Sequence, residues 1–147
     1  MRESTAPDQR SLLWLLVQTG RHAQNTAEAA LDEHGLRYDL WAVIDLLRAR
    51  GTCAMAEIAD EVVIPPPTAT RVVDKLIADG LVHRLSDPAD RRRVLARLTR
   101  RGEQLHDLVL PAVSSATNSL LTSIGPSQHD SLAQALRLVA GPPVGVG

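Results

Sequence analysis

The sequence predicts a predominantly α protein with a minor β component (α+β), in which short helices and one hairpin are framed by long terminal helices. Three observations predict it. Apolar residues recur at three- and four-residue steps over most of the chain, the period of an amphipathic helix. Only between about Leu81 and Leu98 does the period change to strict alternation. The aromatic content is 2%, confined to Trp14, Tyr38 and Trp41, so the core must be built from Leu, Val, Ala and Ile. Such a core suits packed helices better than a sandwich of aromatic-rich strands.

Residues 1–7 read as a loose arm. From about Asp8, the positions Leu12, Leu15, Leu16, Thr19, Ala23, Thr26 and Ala30 mark one helical face that ends near Gly35. A helix of about 25 residues is long for a small domain and usually needs a second surface to pack on, often another subunit. A second helix spans about Asp39 to Arg48, with Trp41, Ile44 and Leu47 inward and Gly51 closing it. A short third helix covers Ala54 to Val62. Pro65–Pro67 cannot sit inside a helix but can open one, and Thr68 to Asp79 reads as the fourth. Its inner stripe is Ala69, Val72, Val73, Leu76 and Ile77; its outer stripe is Thr68, Thr70, Arg71, Asp74 and Lys75.

Leu81–Leu85 and Val94–Leu98 then alternate around the charged stretch SDPADRRR, where Asp-Pro starts a turn. This predicts a hairpin with a charged tip. Thr99 caps a long helix running to about Ile124 and bent at Pro111, which removes a backbone bond. Pro126-Ser127 opens a last helix through Ala140, and GPPVGVG is a frayed tail.

The 147 residues fit one domain, and 44% apolar content is ordinary for a globular chain. The single cysteine, Cys53, excludes an internal disulfide framework and any zinc site with two Cys ligands from one chain. A lone Cys beside a short apolar stretch is more often buried and inert than a redox sensor. The five histidines show no H-x-x-x-H or clustered ligand pattern, and single histidines on helices are mostly surface residues, so no metal is expected. The longest apolar run, Leu12–Val17, is far too short to cross a bilayer. The N-terminus lacks the basic-then-apolar order of a secretory signal. A soluble cytoplasmic protein is the expectation. No G-x-S-x-G, phosphate-cradling glycine loop, H-E-x-x-H or C-x-x-C is present, so neither an enzyme nor a cofactor is implied.

The formal charge of −1 hides a division. Thr68 to Arg101 holds nine basic and four acidic residues, net +5, while the remainder holds seven basic and thirteen acidic residues, net −6. Fifteen of the sixteen basic residues are Arg, with Lys75 the one exception, so contacts to phosphate can be bidentate.

Two short helices joined by a tight turn and followed by a charged hairpin form a winged helix-turn-helix. The second helix of such a pair enters the DNA major groove with its N-terminal residues at base edges. Here those residues are Thr68, Thr70 and Arg71, with Lys75 one turn on. The hairpin tip carries Arg91, Arg92 and Arg93, and guanidinium groups at a protruding tip can reach a narrow minor groove. Asp74 and Asp79 read as structural, Asp74 being placed to pair with Arg71 or Lys75.

The frame resembles the MarR family of bacterial transcription regulators. The matching motifs are Ile58-Ala59, T-x-T-R-V-V-D-K-L from Thr68, G-L-V-x-R from Gly80, D-P-x-D-R-R from Asp87 and L-T-x-x-G from Leu98. The match spans roughly Leu36 to Leu105. The resemblance implies a homodimer that binds double-stranded DNA at a pseudo-palindromic operator, usually as a repressor released by a small, aromatic or phenolic effector. It implies dimerisation helices in residues 1–36 and 105–147 around a DNA-binding lobe, 37–104. By position, Arg92 matches the wing arginine that enters the minor groove, and Asp90 the acid that holds the wing through a neighbouring arginine. Trp14 and Trp41 are candidates for an effector pocket where the two regions meet, with plain core packing as the alternative for each.

Three departures stand out. Val63 occupies a turn position that is often Gly, and must avoid positive φ or accept strain. Pro65 replaces the usual Ser helix cap. Pro67 stands where a hydroxyl residue often contacts DNA, and Pro66 with Pro67 removes two amide donors from a helix end. These departures leave open an interaction or small-molecule-binding module of the same fold with lost or weakened DNA binding.

Overall fold

The computed structural model describes residues 9–141, so the expected N-terminal arm and most of the tail lie outside the described residues. The helices are α1 (Gln9–Asp32), α2 (Tyr38–Arg50), α3 (Met55–Val62), α4 (Pro66–Ala78), α5 (Arg100–Leu120) and α6 (Pro126–Ala140). The strands are β1 (Thr52–Ala54), β2 (Val82–Ser86) and β3 (Val94–Leu98). They form one antiparallel sheet in the order β1-β3-β2, with Cys53 opposite Ala96 and Arg84 opposite Ala96 from the other side. Strand β1 goes beyond the sequence expectation: three residues are too few for alternation to show. It appears because β3 leaves an edge that the chain between α2 and α3 can pair with.

The helix ends follow from local chemistry. After α1, Leu36 N donates to Leu31 O (3.2 Å) and Gly35 N to Asp32 O (3.0 Å), with Gly35 at φ 65°. This is a Schellman ending. It recurs after α4, where Leu81 N meets Leu76 O (2.8 Å) and Gly80 N meets Ile77 O (2.9 Å). It recurs again after α3, where Ile64 N reaches Ala59 O (3.0 Å), but here Val63 takes the left-handed position at φ 57°, ψ 48°. Val63 is the one non-glycine residue at positive φ among the described residues. Of the two outcomes the sequence allowed, the chain adopts the strained one.

Helix α5 starts as expected. Thr99 Oγ1 accepts from Gly102 N (3.0 Å) and donates to Gly80 O (2.8 Å), tying the helix start to the end of α4. It runs through Pro111 but stops at Leu120, short of Ile124. Thr117, Ser119 and Thr122 turn their hydroxyls back onto the carbonyls of Val113, Ser115 and Asn118. Such side-chain bonds compete with the helical ladder, and the run of them explains the early end.

The main core joins α2, α3, α4 and the inner sheet face through Ile44, Leu47, Ile58, Val73, Leu76 and Ala96. Burying each large aliphatic side chain contributes about 1.5–3 kcal/mol before ordering costs. A second cluster of Leu31, Leu36, Trp41 and Val109 fastens this unit to α1 and α5. By contrast, α6 has no buried residue, and Leu12 to Val17 on α1 are all exposed in the single chain.

Candidate nucleic-acid interface and adjoining cleft

Helix α4 begins two residues earlier than Thr68 because prolines suit a first turn. Pro65 is the N-cap, and Pro66 and Pro67 fill the first two helical positions, where an amide would have no intrahelical partner. Pro65 O accepts from both Thr68 N (2.9 Å) and Ala69 N (3.0 Å). The helix end is therefore satisfied without a side-chain cap, and it offers no free backbone amide to an anion.

Ala69, Val72, Val73 and Leu76 anchor one face of α4 in the core. Ile77, assigned to the same stripe, is half-buried. Pro67, Thr70, Arg71, Asp74 and Lys75 consequently face solvent, while Thr68 is half-buried at the helix start. Thr70 Oγ1 donates to Pro66 O (3.2 Å). Arg71 has no ion-pair partner among the described residues, whereas Lys75 Nζ sits 2.7 Å from Asp79 Oδ1. Asp74 pairs with neither Arg71 nor Lys75; it is bound by Arg84 of β2, which locks the wing to α4.

The wing tip is a built turn. Asp87 Oδ1 accepts from Ala89 N (2.8 Å), Asp87 N donates to Arg93 O (3.1 Å), and Arg93 N donates to Asp90 O (2.9 Å). Asp90 Oδ1 accepts from the Arg92 backbone amide (3.0 Å) and not from an arginine side chain. The acid that engages a wing arginine is Asp87, 3.5 Å from Arg93 Nη1. Arg93 also reaches Glu57 of α3 (3.3 Å), so it braces the wing instead of projecting from it. Arg91 and Arg92 are exposed, and their guanidinium groups have no partner among the described residues.

Arg37, which the sequence motifs do not single out, lies beside this surface. Its guanidinium grips Asp39 at two points, Nε to Oδ1 (3.1 Å) and Nη2 to Oδ2 (3.0 Å), which raises the guanidinium further above its usual value. It lines a groove of about 260 Å³ with Thr68, Arg71 and Lys75, beside the solvent face of α4. The signal in the sequence is an Arg two residues before an Asp at a helix start.

Behind the helix-turn-helix lie two adjoining cavities of about 870 and 720 Å³ that share Gln24, Tyr38, Val62 and Val63. They form a cleft walled by α1, α2 and the α3–α4 turn, with α5 closing the second. Trp41 lines the second cavity, though only 4% of its surface is exposed. Trp14 is 59% exposed in the first half of α1 and does not line either cavity, so the two tryptophans are not brought together.

Trp41 stacks on His106, with ring centroids 5.1 Å apart and planes 6° from parallel. His106 is buried, contrary to the surface placement expected of lone helical histidines. Its Nε2 lies 3.0 Å from Asp45 Oδ1 and its Nδ1 3.2 Å from Asp107 Oδ1. The hydrogen bond from His106, reinforced by Arg48, holds the Asp107 carboxyl below the usual carboxylate range. This cluster joins α2 to α5. Its signal in the sequence is a His-Asp pair on one predicted helix and an Asp on another, which no spacing rule connects.

Cys53 is buried on β1, and burial, with Glu57 nearby, pushes its thiol up. Among the described residues no group of three His, Cys, Asp or Glu side chains is placed to hold a metal ion, and no helix is long and apolar enough to cross a membrane.

The family model for MarR matches residues 38–94, the helix-turn-helix and the wing up to the start of β3. The HTH-type transcriptional regulator YkoM of Bacillus subtilis is 30% identical over 105 residues, covering 71% of this chain and 68% of its own. The chain belongs to the MarR family. A MarR-family regulator from Rhodococcus sp. RHA1 superposes with a TM-score of 0.84 at 26% identity, covering 95% of this chain and 98% of its own. CouR from Rhodococcus jostii RHA1, solved with p-coumaroyl-CoA, superposes with a TM-score of 0.80 at 26% identity, covering 92% and 95%. The fold of this MarR-family chain is thus the winged helix of a transcriptional regulator.

Proposed function

We propose that this chain is a transcriptional repressor that binds a pseudo-palindromic operator as a homodimer and is released by a small molecule in the cleft. The observation that carries this reading is the set of unpaired guanidinium groups on the outward surface. Arg71 on α4 and Arg91 and Arg92 on the wing have no partner among the described residues, while Arg84 and Arg93 beside them are tied down. Unpaired guanidinium groups flanking a groove-sized helix suit phosphates and base edges.

The dimer reading rests on two uncovered faces. Leu12–Val17 on α1 and Leu132, Leu136, Leu138 and Val139 on α6 are exposed, an apolar area that a second copy would cover. Residues 1–36 and 105–147 would then form the dimerisation region, with the 37–104 lobe carrying the recognition helices about 34 Å apart, one turn of DNA. The effector reading rests on cleft volume, which falls in the range of small-molecule sites. CouR with p-coumaroyl-CoA supports it as a fold that takes such a ligand. Of the two tryptophans, Trp41 lines the second cavity and supports this reading, whereas Trp14 lines neither cavity. The alternative of a module without DNA binding draws on the amide donors missing from the proline start, against which stand Thr70, Arg71 and Lys75, all exposed on the outward face of α4.

The test is operator binding by fluorescence anisotropy against the chain's upstream region. Arg92→Ala should lower affinity and reduce the salt slope by about one unit for each phosphate that a subunit no longer neutralises. Arg93→Ala should act chiefly through wing stability. Unchanged affinity and slope for Arg92→Ala would sink the wing assignment.

A further inference from the structure

A basic groove of about 260 Å³ runs along one flank of α4. Arg71 and Lys75 of α4 and Arg37, just before α2, line it against one carboxylate, Asp39. Thr68 adds a hydroxyl that has no hydrogen-bond partner among the described residues. Thr68 and Asp74, three residues before and after Arg71, lie about 60° to either side of it around the helix. The wing is tied to the Asp74 side through Arg84, whereas the groove follows the Thr68 side. Wing and groove therefore flank the outward face of α4 on opposite sides.

A helix with its side chains is about 10–12 Å across and the DNA major groove about 12 Å wide. A helix seated there has a sugar-phosphate strand along each flank. On the flank away from the wing, Thr68 to Lys75 cover about 10 Å of helix, with Arg37 across the groove from them. The Arg37 side chain is 80% exposed, yet Asp39 fixes its Nε at 3.1 Å and its Nη2 at 3.0 Å. Asp39 takes one N–H from each of those nitrogens, so both Nη1 hydrogens and the second on Nη2 stay open to an outside acceptor. Arg71 adds a guanidinium with no ion-pair partner among the described residues, and Lys75 a charge that it shares with Asp79. A fixed guanidinium, a free one and an open hydroxyl are donors that suit a phosphodiester. Backbone amides, the usual anion donors at a helix start, are missing at Pro66 and Pro67. The groove offers side-chain donors beside that gap.

We propose that this groove is a phosphate-binding subsite for the DNA backbone, with Arg37 its principal donor, Thr68 its hydroxyl, and Arg71 and Lys75 lending charge from α4. This rests on the reading of the chain as a DNA-binding regulator. The subsite holds the strand on the α2 flank of the recognition helix, opposite the flank that the wing serves. Its donors meet phosphate and not base edges, so Arg37 adds affinity for every sequence and does not choose among them.

The experiment is fluorescence anisotropy of the full-length chain with a duplex from its upstream region and with unrelated duplexes, over a salt series. Arg37→Ala should weaken binding by about tenfold on every duplex, the loss expected of one charge-assisted hydrogen bond. It should also reduce the salt slope by about one unit per subunit, and Arg37→Lys, which keeps the charge, should restore that slope. A second arm replaces each phosphate of the upstream duplex in turn by an uncharged methylphosphonate. At one position per half-site the unmodified chain should lose affinity while Arg37→Ala loses nothing further. Additive losses at every position would overturn the inference, because Arg37 would then act on no particular phosphate. Unchanged affinity and slope for Arg37→Ala, on a duplex that Arg92→Ala binds more weakly, would overturn it and leave the DNA-binding reading standing. Calorimetry with inorganic phosphate separates the backbone from a free anion: saturable submillimolar binding that Arg37→Ala abolishes would assign the groove to the free ion and overturn the inference. No salt-dependent binding of any duplex by the unmodified chain would overturn both the inference and the DNA-binding reading.

Discussion

Val63→Gly isolates the cost of the left-handed turn between α3 and α4. An L-residue in the left-handed helical region is destabilised by about 1–2 kcal/mol, and β-branching places Val at the upper end. The side chain is 86% exposed, so its removal forfeits little burial. Glycine's greater freedom in the unfolded chain returns about 0.5–1 kcal/mol of that gain. The balance favours Gly by about 1–1.5 kcal/mol. For a chain of this size that raises Tm by about 2–6 °C. The assay is urea denaturation and thermal melting at matched protein concentration, since association would add a concentration-dependent contribution. Val63→Ala is the control: it keeps the backbone conformation and sheds only the branch, so it should recover less than Gly. Equal or lower stability for Val63→Gly, or an equal gain for Ala, would refute the reasoning, because the strain would then not reside in the backbone.

Gly102→Ala should destabilise by about 2–3 kcal/mol in the same denaturation assay, because a Cβ there would stand 2.2 Å from Leu81 O; that carbonyl is already held by Thr99 N at 2.9 Å and cannot retreat freely. A variant as stable as the parent would show that α5 shifts at little cost. Asp107→Asn tests the α2–α5 cluster by pH. The folded Asp107 carboxyl is lowered, so its contribution is present above the unfolded value near 3.9 and is lost as pH falls through the folded value. The stability gap between parent and variant should be constant from pH 5 to 7 and shrink below about pH 4; a gap that persists to pH 3 would count against it. Cys53 should react with a thiol reagent only at the rate of unfolding, and rapid native-state labelling would contradict its burial.

Most of this fold was legible because its elements obey local rules. The inward face of α4, the hairpin alternation and the Thr99 cap are set within a few residues, and each appears where the spacing placed it. The failures have a common cause. Strand β1 exists only because β3 offers it an edge, and the end of α5 is decided by hydroxyls competing for carbonyls over several turns. At the site, the sequence identified which residues share the outer surface of α4 and the wing, but not which of them are free. Whether Arg93 projects or braces depends on Glu57, 36 positions away. Whether Asp74 binds Arg71 or Arg84 depends on where β2 lands against α4. His106 was invisible for the same reason: its partners Trp41 and Asp45 come from a helix that meets α5 only in three dimensions.

The division of charge seen along the chain becomes a division in space, and the two halves meet at shared residues. Arg37, Asp39 and Thr68 line both the larger cavity of the cleft and the groove beside α4. The net positive segment supplies the outward α4 and wing surface, whereas carboxylates of α1, α2 and α3 wall the cleft behind it. The wall between them is the α3–α4 turn, Val62 to Ile64, immediately before the proline start of α4. A proline-fixed helix start and a residue held in a narrow left-handed well leave that turn few ways to absorb a displacement locally. In the proposed function, a ligand that pushes on Val62 or Val63 therefore moves α4 as a body. Linkage then demands only that the ligand bind better to the DNA-free arrangement, by the same factor that DNA weakens the ligand. The departures at Val63 and Pro65–Pro67, which along the sequence look like losses from a DNA-binding turn, stiffen the connection through which cleft and recognition helix would communicate.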